Sequence, residues 1–312
     1  MTGTEHNSAP SAPLPRKQNR HILRWVVAAV LLILLVGWVR NFAVNPAVEW
    51  STVRQYFLNY NVVAGLGRTL LITGVSMVLA VVLGAILATM RLSANRVLRG
   101  LAWIYVWFFR SVPLLVLLIL TFNLSLLWPQ VQIGVPYGPV LMSLKTQDIM
   151  SPLVAAIATF SLQQAAYTSE VLRASIQSVP VGQREAATAL GMTPLRSLVR
   201  IVLPQAFRVA LPPVTNETIN LLKSTSLVAF IAVPDLMYTV QQIYAENFRV
   251  VPLLLVATLW YMIVVSIMSI AQFFIERALD SSPKRVTRSV TIAVESAHSG
   301  HGDTPFSESK EK

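Results

Sequence analysis

Cysteine is absent from the 312-residue sequence. That excludes disulfides, thiol nucleophiles and cysteine-built zinc sites. Histidine is nearly absent, and its four copies (His6, His21, His298 and His301) stand near the chain ends. A buried histidine-based catalytic or metal centre is therefore not expected. Charge is scarce as well. Only 12% of the residues are charged and 54% are hydrophobic, whereas an ordinary soluble domain carries about 25% charged residues. So little charge does not cover a soluble globule of this length. The shortage argues against a soluble enzyme and for a polytopic membrane protein. No G-x-x-x-x-G-K-[ST] loop occurs, so this chain does not itself cradle nucleotide phosphates. No nucleophile–base constellation stands out, and neither catalytic residues nor metal ligands are assigned.

The charge that remains is mostly positive, at a net +11. On a soluble protein that balance would suggest nucleic acid. On a chain this apolar, Lys and Arg read as loop residues facing anionic lipid head groups. Membrane lipid, not nucleic acid, is the expected partner.

Residues 1–20 are rich in Ser, Pro and Asn and read as a disordered basic cytoplasmic tail. The first apolar stretch, 22–44, predicts an N-terminal anchor helix over 21–45, with Arg24 and Arg40 snorkelling to the two interfaces. A cleaved signal peptide is the rival reading, but no clear A-x-A site follows. Five further spans are predicted at about 62–90, 111–128, 152–173, 207–223 and 251–275. The fold class is thus all-α, a polytopic membrane protein with six transmembrane helices. The aromatic run Trp103, Tyr105, Trp107, Phe108, Phe109 suits an interfacial elbow ahead of the short 111–128 span.

With the N-terminus inside, only Arg40, Arg54, Arg68, Lys145, Lys223 and Arg249 of the 25 basic residues fall on outer segments or outer helix ends. The rest lie inside, as the positive-inside bias requires, so both termini are predicted cytoplasmic. Residues 278–312 form a second polar, disordered cytoplasmic tail. The outer loop 129–151, with Pro129, Gly134, Pro136 and Pro139, is long for a connector; it reads either as an irregular insertion or as a structured loop touching a partner. Asp235, Glu246 and Arg249 read as solvated outer-loop charge.

One cytoplasmic loop, 179–206, has its own logic. Pro180 and Gly182 end the preceding helix, and 183–190 are good helix formers. Gly191 suits the left-handed residue that closes a helix. Thr193 then caps a second helix with Pro194 at its first position, and that helix is expected to stop before Pro204. Leu195, Leu198, Val199 and Val202 give it an apolar face. The short side chains of Ala186 and Ala187 keep the first helix thin, and Glu185 places a carboxylate near its start. Such an element reads either as a peg for another protein or as a helix lying on the bilayer.

Glu185-Ala186-Ala187, then Gly191, then Ile201, Leu203 and Pro204 match in spacing the EAA motif of permease subunits of ABC importers. The resemblance covers roughly 60–277, the permease domain that follows the anchor. It extends to the polar amino acid permeases (histidine, glutamate, glutamine, arginine, opine) through three segments. These are Phe109-Arg110 with Pro113-Leu114-Leu115-Val116, then Ala166-Tyr167 with Glu170, Arg173 and Ile176 to Pro180, and then Asn216 with 219–223 and Thr225-Ser226-Leu227. The N-terminal helix and the long outer loop exceed the family's minimal five-helix pattern. The resemblance implies that Gly182, Glu185, Ala186, Ala187, Gly191, Ile201, Leu203 and Pro204 couple to a separate ATPase. It implies no cofactor bound by this chain, with ATP-Mg used by partner ATPase subunits. Further implied partners are a second permease subunit, as homo- or heterodimer, and an extracytoplasmic solute-binding protein. The implied location is a bacterial inner membrane.

Polar residues at membrane depth mark a candidate path. On a helix at 100° per residue, Asn216, Glu217, Asn220, Lys223 and Ser224 share one sector, and Pro212-Pro213 are expected to break the helix just before it. Gln163, Gln164, Tyr167 and Glu170 form a similar sector on the preceding span. With Thr225 and Ser226, these residues are candidates to line a translocation path for a zwitterionic amino acid. They equally suit interhelical pairing, with Glu217 or Glu170 bound to Lys223 or Arg173. The expected function is the transmembrane permease subunit of an ATP-driven importer for polar amino acids. The alternative is an ion-coupled secondary transporter using Glu170 or Glu217.

Overall fold

A computed structural model describes residues 21–134 and 140–279. The tails expected at 1–20 and 278–312 lie outside these residues, except that 278 and 279 extend the last helix. Helix α1 (His21–Val44) is followed by a 3-10 turn (Pro46–Val48), α2 (Trp50–Phe57), α3 (Tyr60–Leu92), α4 (Arg96–Ser111), α5 (Leu114–Phe122) and α6 (Leu124–Leu127). A hairpin of β1 (Gln130–Gly134) and β2 (Val140–Lys145) leads to α7 (Thr146–Ile149) and α8 (Pro152–Gln177). Then come α9 (Val181–Ala189), α10 (Pro194–Ser197), a π turn (Leu198–Val202), α11 (Leu203–Ser224), a 3-10 segment (Thr225–Ile231), α12 (Leu236–Asn247) and α13 (Val250–Leu279).

Among the described residues, three helices are long and apolar enough to cross a membrane, in α1, α3 and α13. Two bent pairs raise the number to five: α4 with α5, turned by 101°, and the rod Pro194–Ile231 with α12, turned by 46°. The sixth expected span, α8, has the length, about 39 Å at 1.5 Å per residue. Gln163, Gln164, Glu170 and Arg173 make it too polar to pass as a lipid-facing span. Its position explains why: α3, α4, α5 and α11 all pack on it, and a helix wrapped by protein need not be apolar.

Small residues set the main seam. Ala80, Gly84 and Ala88 of α3 face Ala165 and Thr168 of α8, all buried. A Cβ on Gly84 would stand 3.1 Å from the Thr168 side chain, so the two backbones approach as closely as small side chains permit. Farther along the bundle, Gly65 of α3 lies against the start of α12, where a Cβ would meet the Asp235 carbonyl oxygen at 2.8 Å. One core cluster joins Ile72, Leu118, Phe160, Leu221 and Val228. Another joins Val62, Leu236, Val240, Leu253 and Val256.

The outer loop takes the structured of its two readings, an antiparallel two-stranded hairpin that pairs Gln130 with Lys145 and Gln132 with Ser143, a small addition to the expected all-helical fold. The Thr146 hydroxyl donates to the Trp128 carbonyl and closes its base. Pro212 and Pro213 lie inside α11 and do not break it; neighbouring bonds such as Thr215 Oγ1 to the Leu211 carbonyl (2.9 Å) keep the turn satisfied. Pro204 likewise does not stop the helix from Thr193. A π turn precedes it, and the wider turn accommodates the missing N–H and the ring. Asp235 is not solvated loop charge. It is fully buried and caps α12, accepting from Tyr238 N at 2.8 Å. Arg249 also has partners. Its Nε lies 3.5 Å from Glu49 Oε2, and its Nη1 donates to Thr52 Oγ1 at 2.6 Å, which ties α2 to the head of α13.

Candidate functional site

The break between α4 and α5 builds one wall of a cavity. Val112-Pro113 cannot continue α4, because the proline lacks an N–H and restricts the residue before it. The chain therefore turns by 101°, which matches the elbow expected from the aromatic run. Tyr105 Oη donates to the Leu162 carbonyl at 2.8 Å, and Gln163 Nε2 donates to the Val112 carbonyl at 3.2 Å. Both bonds fix the elbow to α8.

Behind the elbow lies a cavity of about 400 Å³, walled by Arg110 to Leu114, by Phe160, Gln163, Gln164 and Tyr167 of α8, and by Glu217, Asn220, Leu221 and Ser224 of α11. Five of the ten candidate path residues converge here: Gln163, Gln164, Tyr167, Glu217 and Asn220. Gln164 Nε2 donates to Glu217 Oε2 at 3.1 Å. The Arg110 guanidinium carbon stands 5.2 Å from the centre of the Tyr167 ring, within cation–π range. The cavity thus carries a cation on one wall, a carboxylate on another and three amides between them. That set can meet a small zwitterion at both of its charges.

The other five candidates do not line it. Glu170 is bound on both oxygens, by Arg91 Nη2 at 3.1 Å and by Arg173 Nη2 at 2.7 Å. The pairing with Arg173 was one of the alternatives; Arg91 adds a tie to α3. Thr225 is buried and donates to the Leu222 carbonyl at 2.7 Å. Ser226 donates to the Lys223 carbonyl at 2.9 Å. Asn216 and Lys223 are exposed beside the cavity arc. Arg110 was missed, because it was counted with inner-loop charge. The signal was available in Phe109-Arg110 standing just before the helix-breaking Pro113.

At the other end, the coupling loop forms as its glycine and proline positions require. Gly191 has φ +71°. Its N–H donates to the Thr188 carbonyl (2.9 Å), and Met192 N donates to the Ala187 carbonyl (3.0 Å), the paired bonds of a Schellman cap. Thr193 Oγ1 accepts from Arg196 N at 3.4 Å. The apolar face of the second limb is split. Leu198 and Val202 pack with Ile176, Val179 and Ala206, whereas Leu195 and Val199 point outward. Gly182, Glu185 and Ala186 are exposed, as are Gly191, Leu203 and Pro204. Ala187 is buried against its own chain, and Ile201 is half-buried. Among the described residues, no group of three or more His, Cys, Asp or Glu is placed to hold a metal ion.

Comparison with known proteins identifies the family and the fold. The family described as "Binding-protein-dependent transport system inner membrane component" matches residues 80–281. The arginine transport system permease protein ArgU of Corynebacterium glutamicum is 37% identical over 295 residues, covering 93% of this chain and 91% of that protein. Such coverage leaves too little unmatched to omit the first helix. The L-cystine transport system permease protein TcyB of Bacillus subtilis is 37% identical, covering 76% of this chain and 93% of its own length. A crystal structure of an amino acid ABC transporter with histidines superposes with a TM-score of 0.60 at 27% identity, over 70% of this chain and 94% of that one. The MetNI methionine ABC transporter shares the fold at a TM-score of 0.57 and 21% identity, over 71% and 97% of the two chains.

Proposed function

The chain belongs to the family of binding-protein-dependent transport system inner membrane components, and from that we infer how it works as the permease of an ATP-driven importer for polar amino acids. It makes no bonds itself and provides the path and the lever. Both termini face the cytoplasm of a bacterial inner membrane, consistent with the distribution of Lys and Arg. Residues 183–204 dock into a separate ATPase subunit, which binds and hydrolyses ATP-Mg. A second permease chain completes the pathway, and an external binding protein delivers the solute.

One observation carries this reading. The rod that begins at Pro194 beside the exposed Glu185 helix continues without a break through α11 to Ile231, and it presents Glu217 and Asn220 to the cavity. Displacement of the loop therefore moves the cavity wall directly. The exposed tip supports docking: Leu190 is 80% and Leu195 71% exposed, and apolar side chains gathered on an otherwise polar surface mark partner sites. At the cavity, Arg110 receives the solute carboxylate and Glu217 its ammonium, with the amides of Gln163 and Asn220 filling the remaining positions. The bonds on Glu170 argue against an ion-coupled transporter that uses this residue, because two guanidiniums already occupy both of its oxygens.

Glu185→Lys tests the docking. We expect loss of co-purification with the ATPase and at least a tenfold fall in ATP-driven uptake, equivalent to about 1.4 kcal/mol. Full co-purification together with full uptake would refute the docking role.

A further inference from the structure

A second hollow lies at the coupling end of the bundle, walled in part by the docking segment 183–204, and the transport scheme above assigns it no ligand. Its volume is about 1130 Å³. Ala85 and Thr89 of α3, Ile176 of α8, Met192 of the glycine turn and Phe207 of α11 are among its walls, which are largely apolar. Among the described residues, Arg184 of α9 is the one cation that lines it, and none of the lining residues is acidic. Phe207 is 62% exposed, so a large aromatic face is open along the slot. The guanidinium is already oriented, since Arg184 Nη2 donates to the Ile176 carbonyl at 2.6 Å, and its remaining N–H donors are left for a ligand.

This pattern of an apolar slot ended by a single fixed cation is complementary to an amphiphile with an anionic head. In the orientation inferred above, the slot opens at the cytoplasmic leaflet, where acyl chains are always present and head groups are negative. We propose that this groove holds an acyl chain of an anionic phospholipid with its phosphate on Arg184, and that the filled groove props the coupling loop against α3 and α8. The slot is walled by both limbs of the loop and by the helices on either side of it. Emptying it removes one apolar support from α9 and α10. The propping role rests on the coupling function inferred above; the lipid site does not.

The test uses the full chain purified without any ATPase, so that its result is independent of where residues 183–204 dock. Native mass spectrometry follows retention of phosphatidylglycerol, of phosphatidylcholine with matched chains, and of glycerol phosphate alone. Retention of phosphatidylglycerol about tenfold above phosphatidylcholine is expected, with no adduct of glycerol phosphate. Ala85→Trp and Thr89→Trp fill the slot from exposed positions and are expected to cut that retention about tenfold, with melting temperature as the check on folding. Arg184→Gln is expected to bring the two lipids level. Equal retention in the filled variants overturns the site. Binding of glycerol phosphate as strong as that of the lipid overturns the acyl-chain part. A photo-crosslinker at position 207 that captures a second copy of the chain, and no lipid, overturns the proposal in favour of a protein interface. In proteoliposomes with the ATPase, wild-type uptake is expected to rise with phosphatidylglycerol content and that of Ala85→Trp to stay flat. An equal rise in both overturns the propping role.

Discussion

Gln164 on α8 donates its Nε2 hydrogen to Glu217 Oε2 on α11 across 3.1 Å. One carboxylate oxygen is thereby held by the neighbouring helix, and Oε1 is left for the cavity. The bond links the immobile centre of the bundle to the rod that carries the coupling loop. Glu217→Gln keeps the shape and removes the charge. Uptake of amino acids should fall about tenfold to a hundredfold, the worth of a charge-assisted hydrogen bond of about 1.5–3 kcal/mol. Uptake by reconstituted transporter measures it, and wild-type rates would remove Glu217 from the path.

Arg110 is argued to receive the carboxylate of the solute. Arg110→Gln should raise KM about tenfold for free amino acids. It should leave competition by the corresponding amides, which lack the carboxylate, nearly unchanged. A variant equally impaired toward acids and amides would place Arg110 in folding and not in recognition.

The triad at Glu170 predicts a stability effect. Glu170→Gln leaves Arg91 and Arg173 facing each other's charge without a carboxylate, in an environment where their side chains are only 19% and 28% exposed. A loss of about 2 kcal/mol is expected, seen as a lower midpoint in thermal unfolding of the detergent-solubilised chain. No change in midpoint would show that solvent replaces the carboxylate at no cost.

Gly191 has open space around its missing side chain, so Gly191→Ala isolates backbone strain at φ +71°. About 1 kcal/mol is expected against the Schellman cap. The expected phenotype is faster amide exchange over 181–193 and weaker co-purification of the ATPase, with the rest of the bundle unaffected. Protection factors equal to wild type would show that the turn tolerates a Cβ.

The features legible in the sequence are those set by neighbours along the chain. Gly191 needed a left-handed turn and Thr193-Pro194 a helix start, and both are found; the elbow expected from the aromatic run is also found, although the predicted span 111–128 ran across Val112-Pro113, where the chain turns. The wheel over α11 placed Glu217, Asn220 and Ser224 together correctly, but it centred the arc too near Asn216 and Lys223. Which edge of a polar sector faces protein is decided by the helix opposite, and one sequence segment carries no record of that. For Glu170 the sequence offered Arg173 as a partner, and that pair forms; the second partner, Arg91, lies on a different helix and leaves no local trace. Pro204 and Pro212-Pro213 look like helix breakers in the sequence; a π turn and an intact rod absorb them through adjustments that no propensity encodes. Asp235 looked like loop charge, because burial by Gly65 of a distant helix is invisible locally.

Where Gly84 of α3 crosses Thr168 of α8, the seam offers almost nothing with a rotamer to change. Alanine, glycine and threonine meet there at backbone distance, and such a joint cannot slip by repacking long side chains as a leucine interface can. The two helices therefore travel as a single keel. Any rearrangement during a transport cycle has to be absorbed at its flanks, where the proline elbow can bend and the rod can swing as one piece, and spin labels at the exposed positions Val82 and Ala174 should keep one separation in every nucleotide state.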